Sequence, residues 1–150
     1  MVDRFDTSTR SRVMSKVRGK DTQPELIVRR GLHRLGFRYL LHYKALPGKP
    51  DLVFPKYRAI ILVNGCFWHK HDCNRFSWPA TRKGFWRQKI ESNVSRDQAN
   101  LNYYADHDWK VLQIWECALV GSKRRETPEV LNTAANWLRF DEQNAEIRGR

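Results

Sequence analysis

The chain has 150 residues, 41% of them hydrophobic, which is enough to bury one core, so we predict a single domain spanning residues 1–150. It has 28 Lys and Arg against 16 Asp and Glu, and the resulting net charge of +12 favours a polyanionic partner such as nucleic acid. Six Trp argue against a disordered basic tail. No stretch approaches the ~18 apolar residues of a membrane span, and the polar N-terminus has no signal-peptide core, so we expect a cytoplasmic protein.

Residues 1–20 predict a basic arm that contacts DNA. After Asp6 the arm has no acidic side chain. After Asp6 its cations are Arg10, Arg12, Lys16, Arg18 and Lys20. Such a run suits the phosphates of a nucleic acid, although a solvated basic tail explains the same charges.

The stretch DTQPELIVRRGLHRLG predicts the first helix. Thr22 and Glu25 form a capping box, Pro24 occupies the first turn, and Gly36 ends the helix. Its apolar positions are Leu26, Val28, Leu32 and Leu35. Glu25 therefore has a local structural role in this prediction.

The remaining elements predict a mixed α/β fold. FRYLLHY, DLVF and RAIILV each predict a strand, and WKVLQIWE predicts a fourth strand further along. Thr127 and Pro128 cap a last helix. A long amphipathic helix between the third and fourth strands is marked by Trp86, Ile90, Val94, Leu101 and Tyr104. The predicted order is α-β-β-β-α-β-α, an α/β sandwich.

The loop NGCFWHKHDC combines metal ligands with large aromatics. It follows the buried strand that ends at Val63, an edge where α/β proteins often build their sites. Cys66 and Cys73 lie in the loop, and Cys117 follows the strand predicted for WKVLQIWE. Cys117 would join the other two cysteines if that strand is adjacent to the strand that ends at Val63. With one histidine this set suits a tetrahedral structural zinc, whereas three unrelated core thiols are the alternative. The spacing does not decide between the two histidines of the loop, His69 and His71.

A second feature is the dipeptide Pro50-Asp51, which opens a predicted strand. A carboxylate there can hold a divalent cation against a phosphodiester, although an aspartate in a turn is more often only turn chemistry. Nucleases of the restriction-endonuclease-like superfamily share the αβββαβ order and have their "PD" aspartate at this place. The acidic residue and lysine usually found on the next strand are absent from RAIILVN.

Five motifs together resemble one family, the very short patch repair (Vsr) endonucleases. They are TRSRVMSKVRGKDTQPE, LPGKPDLVF, GCFWHKHDC, PATRKGFW and WKVLQIWECAL, and they extend over nearly the whole chain. The resemblance implies a restriction-endonuclease-like αβββαβ core with a structural zinc site. It also implies a magnesium-dependent nick on the 5′ side of the thymine in T:G mismatches, which arise when 5-methylcytosine is deaminated.

The resemblance also implies roles for individual residues. Asp51 would ligate magnesium through its carboxylate and Val63 through its backbone carbonyl. His69 would act as the acid/base beside the attacking water, and Glu25 would lie behind the groups that contact the metal. The structural zinc would be held by Cys66, His71, Cys73 and Cys117. The wedge that enters the base stack would be made by Phe67, Trp68 and Trp86, with Met14 in the other groove. From the helical pattern alone, Trp86 is more often a core residue than a wedge.

One position departs from the family pattern. The best-known members have a second histidine where this chain has Asn64, which can form hydrogen bonds but cannot take up a proton. The implied partners are T:G-mismatched double-stranded DNA, a MutL-type repair factor and a DNA cytosine methyltransferase. We expect a bacterial, nucleoid-associated monomer. The alternatives are a zinc-stabilised mismatch-binding module without catalysis and a basic RNA-binding protein with a structural zinc.

Overall fold

The computed structural model describes residues 21–150. Arg10, Arg12, Met14 and Lys16, predicted to contact DNA, lie outside the described residues. In chain order the elements are α1 (Gln23–Arg34), β1 (Leu40–Leu41), β2 (Leu52–Phe54), β3 (Ala59–Asn64), α2 (Lys83–Asp106), β4 (Lys110–Trp115), α3 (Thr127–Phe140) and β5 (Ala145–Ile147). The predicted α-β-β-β-α-β-α order is confirmed, with β5 added at the end.

The strands form one mixed sheet in the order β1-β2-β3-β4-β5. The first three strands are antiparallel to one another, whereas β3, β4 and β5 are parallel. At the end of the paired strands β3 and β4, Val63 lies opposite Ile114 and Asn64 lies opposite Trp115. The loop after β3 and the turn after β4 therefore leave the sheet at the same edge.

Side chains alternate between two cores on the two faces of the sheet. On one face, α1 and α3 pack against β2, β3 and β4 through residues such as Leu32, Ile61 and Trp137. On the other face, Ile60 and Val111 pack under α2 through Tyr104. The sheet therefore lies between two helical layers, as the sandwich prediction requires. Among residues 21–150, none of the helices combines the length and apolarity that crossing a membrane would require.

Three local predictions were wrong. The FRYLLHY segment contributes only the two paired residues Leu40–Leu41, because Tyr39 instead packs on Phe54 and donates its hydroxyl to the carbonyl of Arg29. Helix α3 has Glu126 at its N-cap without a side-chain capping bond, so Thr127 does not cap it. Strand β5 was missed because three residues, two of them exposed, have too little periodicity to be recognised.

Candidate active site and metal centre

The start of α1 places a buried carboxylate at the edge of the site. Thr22 Oγ1 accepts the Glu25 N–H at 3.4 Å, which is half of the predicted capping box. The return bond reaches the Asp21 N–H at 3.3 Å instead of the Thr22 N–H. Glu25 is 1% exposed, and its carboxylate also contacts Arg29 Nη1 at 2.9 Å and His42 Nε2 at 3.0 Å. The side chain is therefore more than a helix cap.

Asp21, Glu25 and His42 have the spacing of a second candidate metal site, but Arg29 already places a positive charge there. Ligand atoms of Asp21, Glu25 and His42 lie within 4.8 Å of one another, the kind of spacing that a metal site requires. The Arg29 guanidinium, however, contacts Asp21 at 2.8 Å and Glu25 at 2.9 Å. Because arginine remains charged at any physiological pH, it already offsets part of the negative charge that would attract a metal ion to these two carboxylates.

Asp51 lies just before β2, where its Oδ2 accepts the backbone N–H of Val63 at 2.7 Å. The pKa of Asp51 is raised to about 7, mainly by burial and also by the nearby Glu25 carboxylate. The Val63 N–H, His42 and His69 oppose this shift. A buried carboxylate with a raised pKa lacks a sufficient positive charge beside it, and a divalent cation would supply that charge. Asp51 and the end of β3 are therefore adjacent, as magnesium ligation through Asp51 and Val63 requires.

His69 is held by a partner that the sequence did not reveal. Its Nδ1 lies 2.5 Å from Asp97 Oδ2, which projects from α2. The backbone N–H of His69 donates to the Gly65 carbonyl at 3.2 Å. A carboxylate can only accept, so Nδ1 carries the proton and Nε2 is left available as a base. Asp97 gave no sequence signal, because it is one polar residue on a polar helix surface.

Asn64 is 7% exposed and also has a partner that was not predicted. Its Nδ2 donates to Gln113 Oε1 on β4 at 3.0 Å. Both side chains lie on the sheet face that α2 covers, the face to which Ile60 and Val111 belong. The hydrogen bond fixes the amide orientation of Asn64 at the end of β3.

Next to these residues, the cysteines converge with one histidine. Ligand atoms of Cys66, His71, Cys73 and Cys117 all lie within 4.8 Å of one another. His71 Nδ1 lies 3.6 Å from both Cys66 Sγ and Cys117 Sγ. With Zn–S of ~2.3 Å and Zn–N of ~2.0 to 2.1 Å, a tetrahedral ion sets S···N distances of about 3.6 Å. The donor set and spacing fit zinc, and the structure brings His71 to the cysteines and His69 to Asp97.

The surroundings of this cluster also suit a metal. The His71 ring stacks on Trp115 at 3.9 Å, and burial lowers its pKa, which favours the neutral, ligating form. Burial raises the pKa of the Cys66 thiol, so a thiolate there needs a cation beside it. The Gly149 N–H donates to Cys117 Sγ at 3.3 Å. A Cβ on Gly149 would lie 2.7 Å from the Cys117 carbonyl oxygen, so this close approach requires glycine.

The predicted wedge residues pack together beside the loop. Phe67 is 9% exposed and Trp86 is 7% exposed, and their ring centroids lie 5.5 Å apart. Trp68 lies 5.9 Å from Trp86 and is only partly buried. Ile90, Phe76 and Trp78 complete the cluster. In this structure Trp86 is a core residue of the cluster, and Trp68 is the most accessible of the three.

A strongly basic α/β protein with a buried carboxylate, a histidine–aspartate pair and a cysteine–histidine cluster at one sheet edge has the features of a nuclease. Residues 2–75 match the model of the family described as DNA mismatch endonuclease Vsr. The DNA mismatch endonuclease Vsr of Escherichia coli K12 is 36% identical over 147 residues, which cover 98% of this chain and 94% of that protein. The type II nicking enzyme V.XorIIP of Xanthomonas oryzae is 44% identical over 119 residues, covering 79% and 88%.

The chain therefore belongs to the Vsr family of DNA mismatch endonucleases, and it is a DNA endonuclease. A further relative, the type II nicking enzyme V.NmeAIP of Neisseria meningitidis, is 43% identical over 119 residues, covering 79% of this chain and 85% of that protein. These relatives agree with the resemblance that the loop and strand motifs indicated.

Proposed function

We propose that this protein nicks one DNA strand on the 5′ side of the thymine in T:G mismatches, with magnesium as its cofactor. The observation that carries the proposal is the position of Asp51 beside Val63, in electrostatic contact with a histidine that Asp97 orients. Phosphodiester hydrolysis needs a charge clamp and a base, and the positions of these residues support both roles.

In this mechanism Asp51 and the Val63 carbonyl would hold magnesium, which when bound would neutralise charge that develops on the phosphoryl oxygens. His69 Nε2 accepts the proton of the attacking water. Asp97 keeps the imidazole in the correct tautomer and stabilises its protonated form, while Glu25 lies behind Asp51. Asn64 donates or accepts a hydrogen bond near the phosphate without exchanging a proton.

We assign DNA recognition to the wedge and to the basic arm. Trp68 and Phe67 would enter the base stack at the mismatch, where unstacking is least costly because pairing is already poor, with Trp86 supporting them from behind. Met14 would act from the other groove. The phosphate contacts of residues 1–20 would come from Arg10, Arg12 and Lys16.

The wider assignment follows from the same family. We propose a single domain over residues 1–150 with the αβββαβ core of restriction-endonuclease-like nucleases, braced by a structural zinc. The protein would act as a monomer in the bacterial cytoplasm, on the nucleoid. A DNA cytosine methyltransferase would create its substrate sites, and a MutL-type factor would link it to later repair.

The test is a nicking assay on end-labelled duplexes that differ only in one T:G or T:A pair. We expect a single nick 5′ of the mispaired thymine, dependent on magnesium and abolished by a chelator. Equal cleavage of the paired duplex would contradict the mismatch specificity. The buried amide of Asn64, in place of a histidine, favours one rival, a mismatch-binding module without catalysis. That rival would bind the T:G duplex and leave both strands intact.

A further inference from the structure

His42, which follows β1, has an unusual backbone conformation. Its φ angle is +48°, in the left-handed region that residues other than glycine rarely adopt. The side chain is 18% exposed, so this conformation does not simply release it into solvent. A rare backbone conformation held in place by its surroundings often marks a functional position.

His42 contacts two residues that bear carboxylates: its imidazole contacts Glu25, and its backbone contacts Asp51. Its Nε2 lies 3.1 Å from Glu25 Oε1 and 3.0 Å from Glu25 Oε2. Its backbone N–H donates to the Asp51 carbonyl at 3.1 Å. Because a carboxylate only accepts hydrogen bonds, Nε2 is the donor. His42 therefore fixes the Glu25 carboxylate and the residue that begins β2 in relation to each other.

These contacts matter because the two carboxylates repel each other. The Glu25 charge raises the pKa of Asp51, and His42 acts in the opposite direction. Within the described residues, the Glu25 carboxylate has a second side-chain partner, Arg29, which contacts Oε2. Without His42, Glu25 Oε1 would keep the Asp21 backbone N–H at 3.3 Å but lose its side-chain donor, so the carboxylate would be held less firmly.

We propose that His42 is a positioning residue of the magnesium site, holding Glu25 in the orientation in which its carboxylate supports the water ligands of the metal beside Asp51. This role rests on the magnesium site proposed above. Partners that orient the groups around a metal typically change metal affinity or activity ~10- to 100-fold when they are lost. His42 would therefore act on the metal through Glu25, without touching the substrate.

The test compares His42→Leu, which removes the donor, with His42→Gln, whose amide nitrogen takes the place of Nε2. The probe is Mn²⁺ binding followed by electron paramagnetic resonance on the whole protein, alongside magnesium titrations of nicking. We expect His42→Leu to weaken Mn²⁺ binding about 10-fold or more, with a matching increase in the magnesium needed. His42→Gln should remain within about 3-fold of the parent. His107, an exposed histidine bonded to the Tyr103 carbonyl, provides a control variant, His107→Leu, that should match the parent.

A second comparison separates positioning from simple stabilisation. Glu25→Gln removes the buried charge, so the double variant Glu25→Gln/His42→Leu does not leave an unpaired carboxylate. If His42 acts through Glu25, then His42→Leu has no further effect on Mn²⁺ affinity in the Glu25→Gln background. Additive losses would overturn the proposal, as would parent-like Mn²⁺ binding by His42→Leu. A parent protein that binds no Mn²⁺ and does not nick would instead contradict the proposed magnesium site, and this role with it.

Discussion

The imidazole of His69 and the carboxylate of Asp97 meet 2.5 Å apart, although one belongs to the loop after β3 and the other to α2. Both side chains are partly exposed, at 28% and 36%. An exposed ion pair contributes at most ~1 kcal/mol to stability, so the main consequence of the contact is the orientation of the histidine.

Asp97→Asn should therefore slow nicking far more than it destabilises the fold. The amide can donate to Nδ1 and favour the wrong tautomer, so we expect single-turnover rates to fall ~10² to 10⁴-fold. A matched control is Glu91→Gln, which removes a second loop-to-α2 pair, Lys70 Nζ to Glu91 Oε1 at 3.1 Å. Similar losses in both variants would show that α2 only braces the loop.

Asp51→Asn should abolish nicking while binding to the T:G duplex persists, because the amide keeps the shape of the side chain but loses the charge that holds magnesium. Nicking by this variant at the parental rate would place the metal site elsewhere. Gel-shift and nicking assays on the same preparation measure both properties.

The same substitution should change stability in a pH-dependent way. Burial raises the pKa of Asp51 to about 7 in the folded protein. Between the ordinary value and about 7, the folded state keeps a proton that the unfolded state has lost, so stability falls as pH rises through this range. Without magnesium, Asp51→Asn should therefore melt at a higher temperature than the parent near pH 8, and the advantage should vanish near pH 4. Calorimetry at the two pH values tests this, and a constant difference would contradict it.

Zinc removal should unfold the loop edge of the sheet. Purified protein should contain about one zinc per chain, because one tetrahedral ion fills all four ligand positions. Cys117→Ser should lower the melting temperature and release the metal, since structural zinc contributes apparent free energies of ~10 to 16 kcal/mol in small peptides. Metal analysis by mass spectrometry and thermal melting are the measurements. Active protein that contains no zinc would rule out the assignment.

The aromatic cluster should divide into a recognition residue and packing residues. Trp68→Ala should cost ~1 to 3 kcal/mol of mismatch binding with little change in stability, because Trp68 is only partly buried. Phe67→Ala should also lower the free energy of unfolding by ~3 to 5 kcal/mol, since Phe67 is 9% exposed. Denaturant melts and binding to T:G and T:A duplexes separate the two effects. Equal losses of affinity on both duplexes for Trp68→Ala would contradict its wedge role.

Asn64 should contribute through hydrogen bonding alone. Asn64→Leu should slow nicking, and Gln113→Leu should do so to a smaller extent, because Gln113 acts only by holding the Asn64 amide at 3.0 Å. In the double variant the two effects on the rate should not add. Single-turnover rates of the four proteins complete this cycle, and full additivity would show that the two side chains act independently.

Local sequence patterns predicted most of the fold because most of its elements carry clear local signals. Strands β3 and β4 are nearly continuous apolar runs, and Gly36 ends α1 with a φ of +98° as predicted. The prediction of a strand over FRYLLHY was wrong because only two of its residues pair in β1, and tertiary contacts of Tyr39 determine the path of the segment. Patterns of this kind describe a segment's own preferences and not its distant partners.

The same limit applies to the site. The residue types of the cysteine–histidine loop predicted a metal, but the choice between His69 and His71 from spacing alone remained open until the ring positions were known. Asp97, Gln113 and His42 were not predicted at all. Each is an ordinary polar residue in its own segment, and each acquires a role only when the fold places it against the loop, β3 or α1.

Because β3 and β4 are parallel, the metal cluster joins two segments that are far apart along the chain. A metal held by Cys73 and Cys117 would close the intervening chain into a ring that contains all of α2. Such a closure reduces the entropy of the unfolded chain in the same way as a disulfide, and it works in a reducing environment where disulfides do not form. The larger ring from Cys66 to Cys117 contains both His69 and Asp97, so opening it would free both ends of their contact together.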